Sequence, residues 1–226
     1  KIYSELTNSG DKQEIRDLQT QISNWKSAFV SPEQAAQSAE NEEAKVHARI
    51  YSRYQETLRA YQAVDFDDLI HLPAVLFKQH PEALLRWQLK LRYLLVDEYQ
   101  DTNDCQYQMI KLLADMRGAL TVVGDDDQSI YSWRGASIET LHNLRKDYPA
   151  LRVVKLEQNY RSSQRILKVA NHLINHNTKV FEKKLWSDHG IGDPIRIYAE
   201  RDEEHEAESV VMKLISHKFE HRTRFA

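Results

Sequence analysis

The residues of this chain best suited to chemistry stand where two apolar runs end in acid. The first stretch is Leu94-Leu95-Val96-Asp97-Glu98-Tyr99-Gln100-Asp101, and the second is Leu120-Thr121-Val122-Val123-Gly124-Asp125-Asp126-Asp127-Gln128. Short leucine-rich or β-branched runs without alternation predict strands buried on both faces, as in a parallel sheet. Ligands of open α/β sheets gather just beyond the carboxyl ends of the strands. Two such ends tipped with carboxylates suit a cation, most simply magnesium carrying a nucleotide phosphate. Asp97 and Glu98 are neighbours whose side chains diverge, so one can hold a metal or its water shell while the other orients an attacking water. That division suits phosphoanhydride hydrolysis, where catalysis is positioning plus charge stabilisation. Gln128 can donate to a phosphate oxygen and accept from a water at once. Arg161, in Asn159-Tyr160-Arg161 after a third apolar run, offers a fixed fork for phosphate. Acids after a strand also cap the next helix, and Thr102-Asn103-Asp104 reads as a helix start. The convergence of such groups on three strand ends favours a ligand site over capping alone.

Tyr131, Trp133 and Arg134 form a second group, in a loop ending at Gly135. Trp133 there either stacks on a base with Arg134 near a phosphate, or pins the loop to the core. Other signals lead nowhere. His205-Glu206 begins like a zinc-protease motif, but Ser209 stands where the second histidine belongs. His172 and His176 have helical i, i+4 spacing without a third ligand. Asp125, Asp126 and Asp127 are adjacent and expected to diverge, so that at most two reach one ion.

The elements that must position these groups follow from periodicity and caps. Ile15, Leu18, Ile22, Trp25 and Phe29 predict an amphipathic helix over 11–29. Ser31-Pro32-Glu33-Gln34 predicts a new helix opened by a capping box with Pro at its first position. A long helix is expected from Glu42 to about Ala63. The aromatics of this region (Trp25, Phe29, Tyr51, Tyr54, Tyr61) sit at helical spacing and are expected in the core. The acids Asp65, Asp67 and Asp68 suit the positive end of a helix running to Gln79, and Pro81 opens another to Lys90. Then strands are predicted at 92–96, 120–123, 151–156 and 194–199, alternating with helices at 103–116, 136–146, 163–175 and 203–219. Gly118 is a helix stop. This alternation predicts an α/β fold with a parallel sheet, behind an all-helical N-terminal region.

With 226 residues there is material for one large domain or two smaller ones. Hydrophobic residues make up 41% and charged residues 29%, an ordinary globular composition. A net charge of −3 argues against a histone-like basic binder while leaving room for a local basic groove. No apolar run approaches the roughly 20 residues of a membrane span. Cys105 is the single cysteine, so no intrachain disulfide forms and a reducing cytoplasm is expected. The chain begins without Met and stops at Ala226, as an internal piece of a longer protein would.

Three stretches now combine into a pattern: 96–101, 123–136 (Val123-Gly124-Asp125-Asp126-Asp127-Gln128-Ser129-Ile130-Tyr131-Ser132-Trp133-Arg134-Gly135-Ala136) and 156–163 (Leu156-Glu157-Gln158-Asn159-Tyr160-Arg161-Ser162-Ser163). In order and spacing they resemble three successive motifs of the UvrD/Rep-type superfamily 1 DNA helicases, as do 181–185 and 203–208 more locally. The resemblance implies RecA-like motor domains of P-loop NTPase type that use ATP and magnesium to move 3′–5′ on single-stranded DNA and open duplexes in replication or repair. It gives Asp97 the magnesium, Glu98 the hydrolytic water, and Gln128 the sensing of the γ-phosphate. Tyr131, Trp133 and Arg134 contact single-stranded DNA. Tyr160 stacks on adenine, and Arg161 is the arginine finger of the second motor domain. Residues 1–63 then correspond to a helical insertion, 64–156 to the rest of the first motor domain, and 157–226 to the beginning of the second. Implied partners are single-stranded DNA, single/double-strand junctions and replication-fork proteins, in a bacterial cytoplasm. One family feature is missing: no Gly-x-x-x-x-Gly-Lys-Ser/Thr occurs among the six glycines. The phosphate loop is expected upstream of Lys1 and the later motifs beyond Ala226, which leaves an inactive fragment. A non-catalytic relic of the fold and a helicase–nuclease subunit are the competing readings.

Overall fold

The computed structural model describes residues 2–7, 10–114 and 118–221. The chain divides into two compact units, Lys1–Val154 with Asn177–Glu182, and Lys155–His176 with Lys183–Ala226.

In the first unit, α1 (Ile2–Thr7), α2 (Lys12–Ser27), α3 (Pro32–Gln37) and α4 (Glu42–Ala60) precede any strand. Their ends are fixed by local chemistry. Asp11 accepts from the N–H groups of Gln13 and Glu14 at the start of α2. Ser31 and Gln34 form the expected reciprocal capping box of α3, with Pro32 at the first helical position. Asn41 caps α4. The apolar stripes meet around Leu18, Ile22, Ala35, Ala48, Ile50 and Tyr51, all buried. Each large aliphatic side chain so buried contributes about 1.5–3 kcal/mol. Trp25 stacks on Tyr51 with ring centroids 5.4 Å apart, and Tyr54 packs beside them. Tyr61 departs from its expected core position. It lies just past the end of α4, with the chain turning away at Gln62, and is 78% exposed.

A buried ionic cluster ties these helices to the next one. Lys26, on the same α2 stripe as Leu18 and Ile22, is fully buried. Its Nζ donates to Asp65 at 2.6 Å and to Asp68 at 2.8 Å. The Tyr54 hydroxyl also donates to Asp65, and the Asp68 N–H donates to the other Asp65 oxygen. The acids expected merely to suit a helix dipole therefore hold a lysine 39 and 42 residues away. They open α5 (Asp68–Gln79), followed by α6 (Pro81–Lys90).

Next come β1 (Leu94–Val96), α7 (Asp104–Ala114), β2 (Leu120–Val122) and α8 (Glu139–Asp147). The strands are parallel, with Leu94 opposite Leu120 and Val96 opposite Val122. Asn103 and Gln106 cap α7 reciprocally, each side chain accepting from the other's N–H. The expected continuation of α7 to Met116 lies outside the described residues. Gly118 stops it, at φ 57° and donating to Ala114 O. Tyr99, Tyr107, Leu141 and Leu144 form the core beneath the sheet, with Val96, Leu120 and Val122 against it.

In the second unit, α9 (Gln164–Ile174) and α10 (Glu203–His221) carry the order. Leu167 is buried, whereas Ile166, Val169 and Leu173 on the same helix are exposed.

The chain is thus a mostly helical α/β protein with a small parallel sheet. Two expectations fail. Residues 151–156 and 194–199 form no strand, and the sheet is covered on one face only rather than on both as the apolar runs predicted: Leu95 is 75% exposed. Apolar, β-branched sequence favours extended backbone, but a strand exists only where a second strand supplies its hydrogen bonds. Among the described residues none does so for 151–156 or 194–199, and Leu156 and Ile197 are 79% and 92% exposed. No described helix is long and apolar enough to cross a membrane.

Candidate active site

Beyond β1 and β2 the ladder continues for one step: Val123 N–H donates to Val96 O, and Tyr99 N–H donates to Val123 O. Asp97 and Glu98 therefore leave the sheet beside Val123 and Gly124, and the two acidic tips are side by side. Asp97 is exposed and one oxygen accepts the Glu98 N–H at 2.9 Å. Glu98 is exposed and left-handed, at φ 50° and ψ 44°. A non-glycine residue held there costs roughly 1–3 kcal/mol, a kind of strain that clusters at functional sites. A 3-10 turn over Tyr99–Asp101 follows.

At the second tip, Asp125 accepts from the Asp127 N–H and caps another 3-10 turn, Asp126–Gln128. The other Asp125 oxygen accepts from Gln128 Nε2 at 2.7 Å. Asp126 accepts the N–H groups of Val180 and Phe181. The three aspartates do not diverge as expected. The tight turn brings one carboxylate oxygen from each within 4.8 Å of the others. Asp125 and Asp126 nonetheless have the structural duties just named.

One residue that the sequence did not single out joins the two tips. Gln100 is 1% exposed, donates to Glu98 and accepts from the Asp125 N–H. Its signal was faint: a glutamine two places past Glu98, facing a glycine, Gly124, on the neighbouring tip.

The loop after Gln128 is secured at its far end, where Asn103 bridges Ala136 and Thr102 O accepts from Ser137 N–H. A 3-10 turn, Ser132–Arg134, ends at Gly135, whose φ of 82° suits a residue without Cβ. Trp133 is 65% exposed, with Tyr131 beside it at 6.2 Å between ring centroids. The side chain of Arg134 lies outside the described residues.

Tyr160 and Arg161 belong to the second unit, and both are exposed. Asn159 accepts the N–H groups of Arg161 and Ser162, turning the chain sharply, and its own N–H donates to Trp186 O. The Tyr160 hydroxyl donates to Gln158 Oε1. Asp97, Glu98 and Gln128 are thus gathered on adjoining tips of one sheet, and Tyr160 and Arg161 follow one another on a turn of the second unit. The donor chemistry at the first tip fits magnesium: an exposed carboxylate is a hard oxygen ligand, and that ion takes one or two carboxylates and keeps its waters.

Residues 1–149 match the UvrD/REP helicase N-terminal domain and residues 154–226 the UvrD-like helicase C-terminal domain, and the chain belongs to the UvrD/REP helicase family. Among its relatives, the ATP-dependent DNA helicase Rep of Escherichia coli is 53% identical over 227 residues, which is 99% of this chain and 34% of that protein. Rep of Buchnera aphidicola subsp. Acyrthosiphon pisum is 47% identical over 89% of this chain and 31% of its own length. The ATP-dependent DNA helicase PcrA of Leuconostoc citreum is 44% identical over 95% of this chain and 29% of its own length. The chain spans about a third of the curated relatives it matches.

Proposed function

We propose that this chain is the middle of an ATP-dependent DNA helicase that couples hydrolysis to 3′–5′ movement on single-stranded DNA and to strand separation, in replication or repair. The observation that carries this reading is the pair of adjoining acidic strand ends, with Glu98 held in a left-handed turn between Asp97 and the Gln100 amide.

Each residue has a role suited to its chemistry. Asp97 holds magnesium, which when bound neutralises charge on the β- and γ-phosphates. Glu98 takes the proton of the attacking water. Gln128, its amide steadied by Asp125, accepts from that water or donates to the γ-phosphate, and so reports nucleotide state to the loop that follows. That loop carries Tyr131, Trp133 and Arg134 to single-stranded DNA, Trp133 by stacking. Tyr160 stacks on adenine, and Arg161 stabilises charge on the transferring phosphoryl group. In domain terms, 1–63 is a helical insertion, 64–156 the remainder of a RecA-like motor domain, and 157–226 the start of a second. The working partners are single-stranded DNA and its junctions with duplex, with replication-fork proteins nearby, in the bacterial cytoplasm. A relic without catalysis fits less well, since Asp97, Glu98, Gln128 and Arg161 all retain hydrolytic chemistry, and a helicase–nuclease subunit would require a nuclease domain in the same protein.

The test is Glu98→Gln in the full-length protein. It keeps size and hydrogen bonding but removes the base, a step that contributes about 10²–10⁴-fold. ATP binding stays near wild type while turnover collapses. Wild-type turnover in the purified variant sinks the assignment of Glu98.

A further inference from the structure

Gln100 is buried at the base of the site, and both ends of its side-chain amide are engaged. Nε2 donates to Glu98 Oε2 at 2.8 Å, and Oε1 accepts from the Asp125 N–H at 3.0 Å. We infer that Gln100 is a positioning residue that sets the Glu98 carboxylate and fixes its spacing to the turn carrying Gln128. The inference rests on the reading of Glu98 as the water-activating base.

Three observations lead there. Glu98 is exposed, so its carboxylate has several rotamers open unless a partner selects one. An ionised carboxylate only accepts, so the selecting group must donate, while the Asp125 N–H on the other side requires an acceptor. An amide meets both needs at once, and neither a carboxylate nor an ammonium does. Gln100 itself cannot drift, because it sits 1% exposed in the Tyr99–Asp101 turn, where the Thr102 N–H and hydroxyl both close on Tyr99 O.

The neighbouring tip is cut to receive this amide. A Cβ added at Gly124 stands 2.8 Å from Gln100 Oε1 and 3.4 Å from its backbone N. Gly124 is not in the left-handed region, so the backbone would accept alanine there. What excludes a side chain is the Gln100 amide. From Asp125 the connection runs on, through its carboxylate, to Gln128 Nε2. Glu98, Gln100, Asp125 and Gln128 thus form one connected line across both strand ends.

The experiment uses the full-length helicase that contains this chain, in steady-state ATPase assays saturated with single-stranded DNA. Gln100→Ala should lower kcat by about 10- to 100-fold, the scale seen when a partner orienting a reactive group is lost. KM for ATP should stay within about twofold, because positioning a base leaves ground-state binding alone. Gln100→Glu preserves volume and the acceptor for Asp125, but it removes the donor and sets like charge against Glu98. It should lose at least as much, and it answers the question if the alanine variant fails to fold. Gly124→Ala should lower kcat and melting temperature in the wild-type background and change neither when combined with Gln100→Ala, since the space is then vacant. Wild-type kcat in both Gln100 variants, or a raised KM with kcat intact, overturns the inference. Glu98→Gln runs alongside: if it is inactive while the Gln100 variants turn over normally, the base assignment stands and only the positioning role falls. If Glu98→Gln turns over normally, both fall.

Discussion

Removing the positive charge of Lys26 should be the most damaging single change in the helical part of this chain. Its ammonium is fully enclosed and pairs with Asp65 and Asp68, whose side chains are 21% and 4% exposed. In Lys26→Met the aliphatic volume survives, but two carboxylates stay behind with only Tyr54 and backbone N–H groups to answer them. Breaking a buried pair from one side costs about 3–5 kcal/mol, because the surviving charge is stranded. For a chain of this size each kcal/mol moves the melting temperature by about 2–4 °C, so the midpoint should fall by about 6–20 °C. The pH dependence is diagnostic. Burial pushes Asp65 up, but hydrogen bonds from Lys26, the Asp68 N–H and Tyr54 outweigh it and leave the carboxyl below its ordinary value. Its contribution in the wild type is therefore complete above the unfolded carboxylate range near ~3.9 and fades only as pH falls through the lower folded value. Without Lys26 burial dominates, the folded value rises above the unfolded one, and protonation relieves the strain. The gap between wild type and Lys26→Met should be widest near neutral pH and narrow towards pH ~4. Adding Asp65→Asn and Asp68→Asn to Lys26→Met should restore most of the loss. Denaturant titration across pH measures all of this. A gap below about 1 kcal/mol, or one that does not change with pH, refutes the account, since an exposed pair behaves that way.

Two further outcomes are expected. Trp133→Ala in the full-length protein should weaken single-strand binding by about 1–3 kcal/mol with little dependence on base sequence, because every base offers a π-face. Fluorescence titration checks it, and unchanged affinity with a lowered melting temperature would return Trp133 to the core. Residues 1–226 alone should show no DNA-stimulated ATP hydrolysis. They contain no glycine-rich loop with its lysine to cradle a triphosphate, and Asp97 and Glu98 would meet it with like charge. Stimulated turnover that Glu98→Gln abolishes would contradict this.

What the sequence determined by itself was most of what depends on near neighbours, the tight turn over Asp125–Asp127 excepted. Helix spans came from apolar spacing, the start of the third helix from Ser31 beside its first turn, and the stop at Gly118 from its lack of a Cβ. The acidic ends of Leu94–Val96 and Leu120–Val122 were legible as a candidate site because an apolar run that stops at carboxylates is a local pattern, and the family motifs are local too. What only the tertiary structure decided depends on residues brought together from afar. Residues 151–156 look as strand-like as 94–96, yet only the latter finds a partner, so β-propensity alone could not separate them. Tyr61 has helical spacing but falls just beyond the helix that would have turned it inward. Lys26 was readable only as a lysine on the stripe of Leu18 and Ile22; the charges that permit its burial come 39 and 42 residues later. Gln100 meets its second partner 25 residues on. A buried polar group is stable only where complementary groups converge on it, and packing, rather than any local stretch of sequence, brings them there.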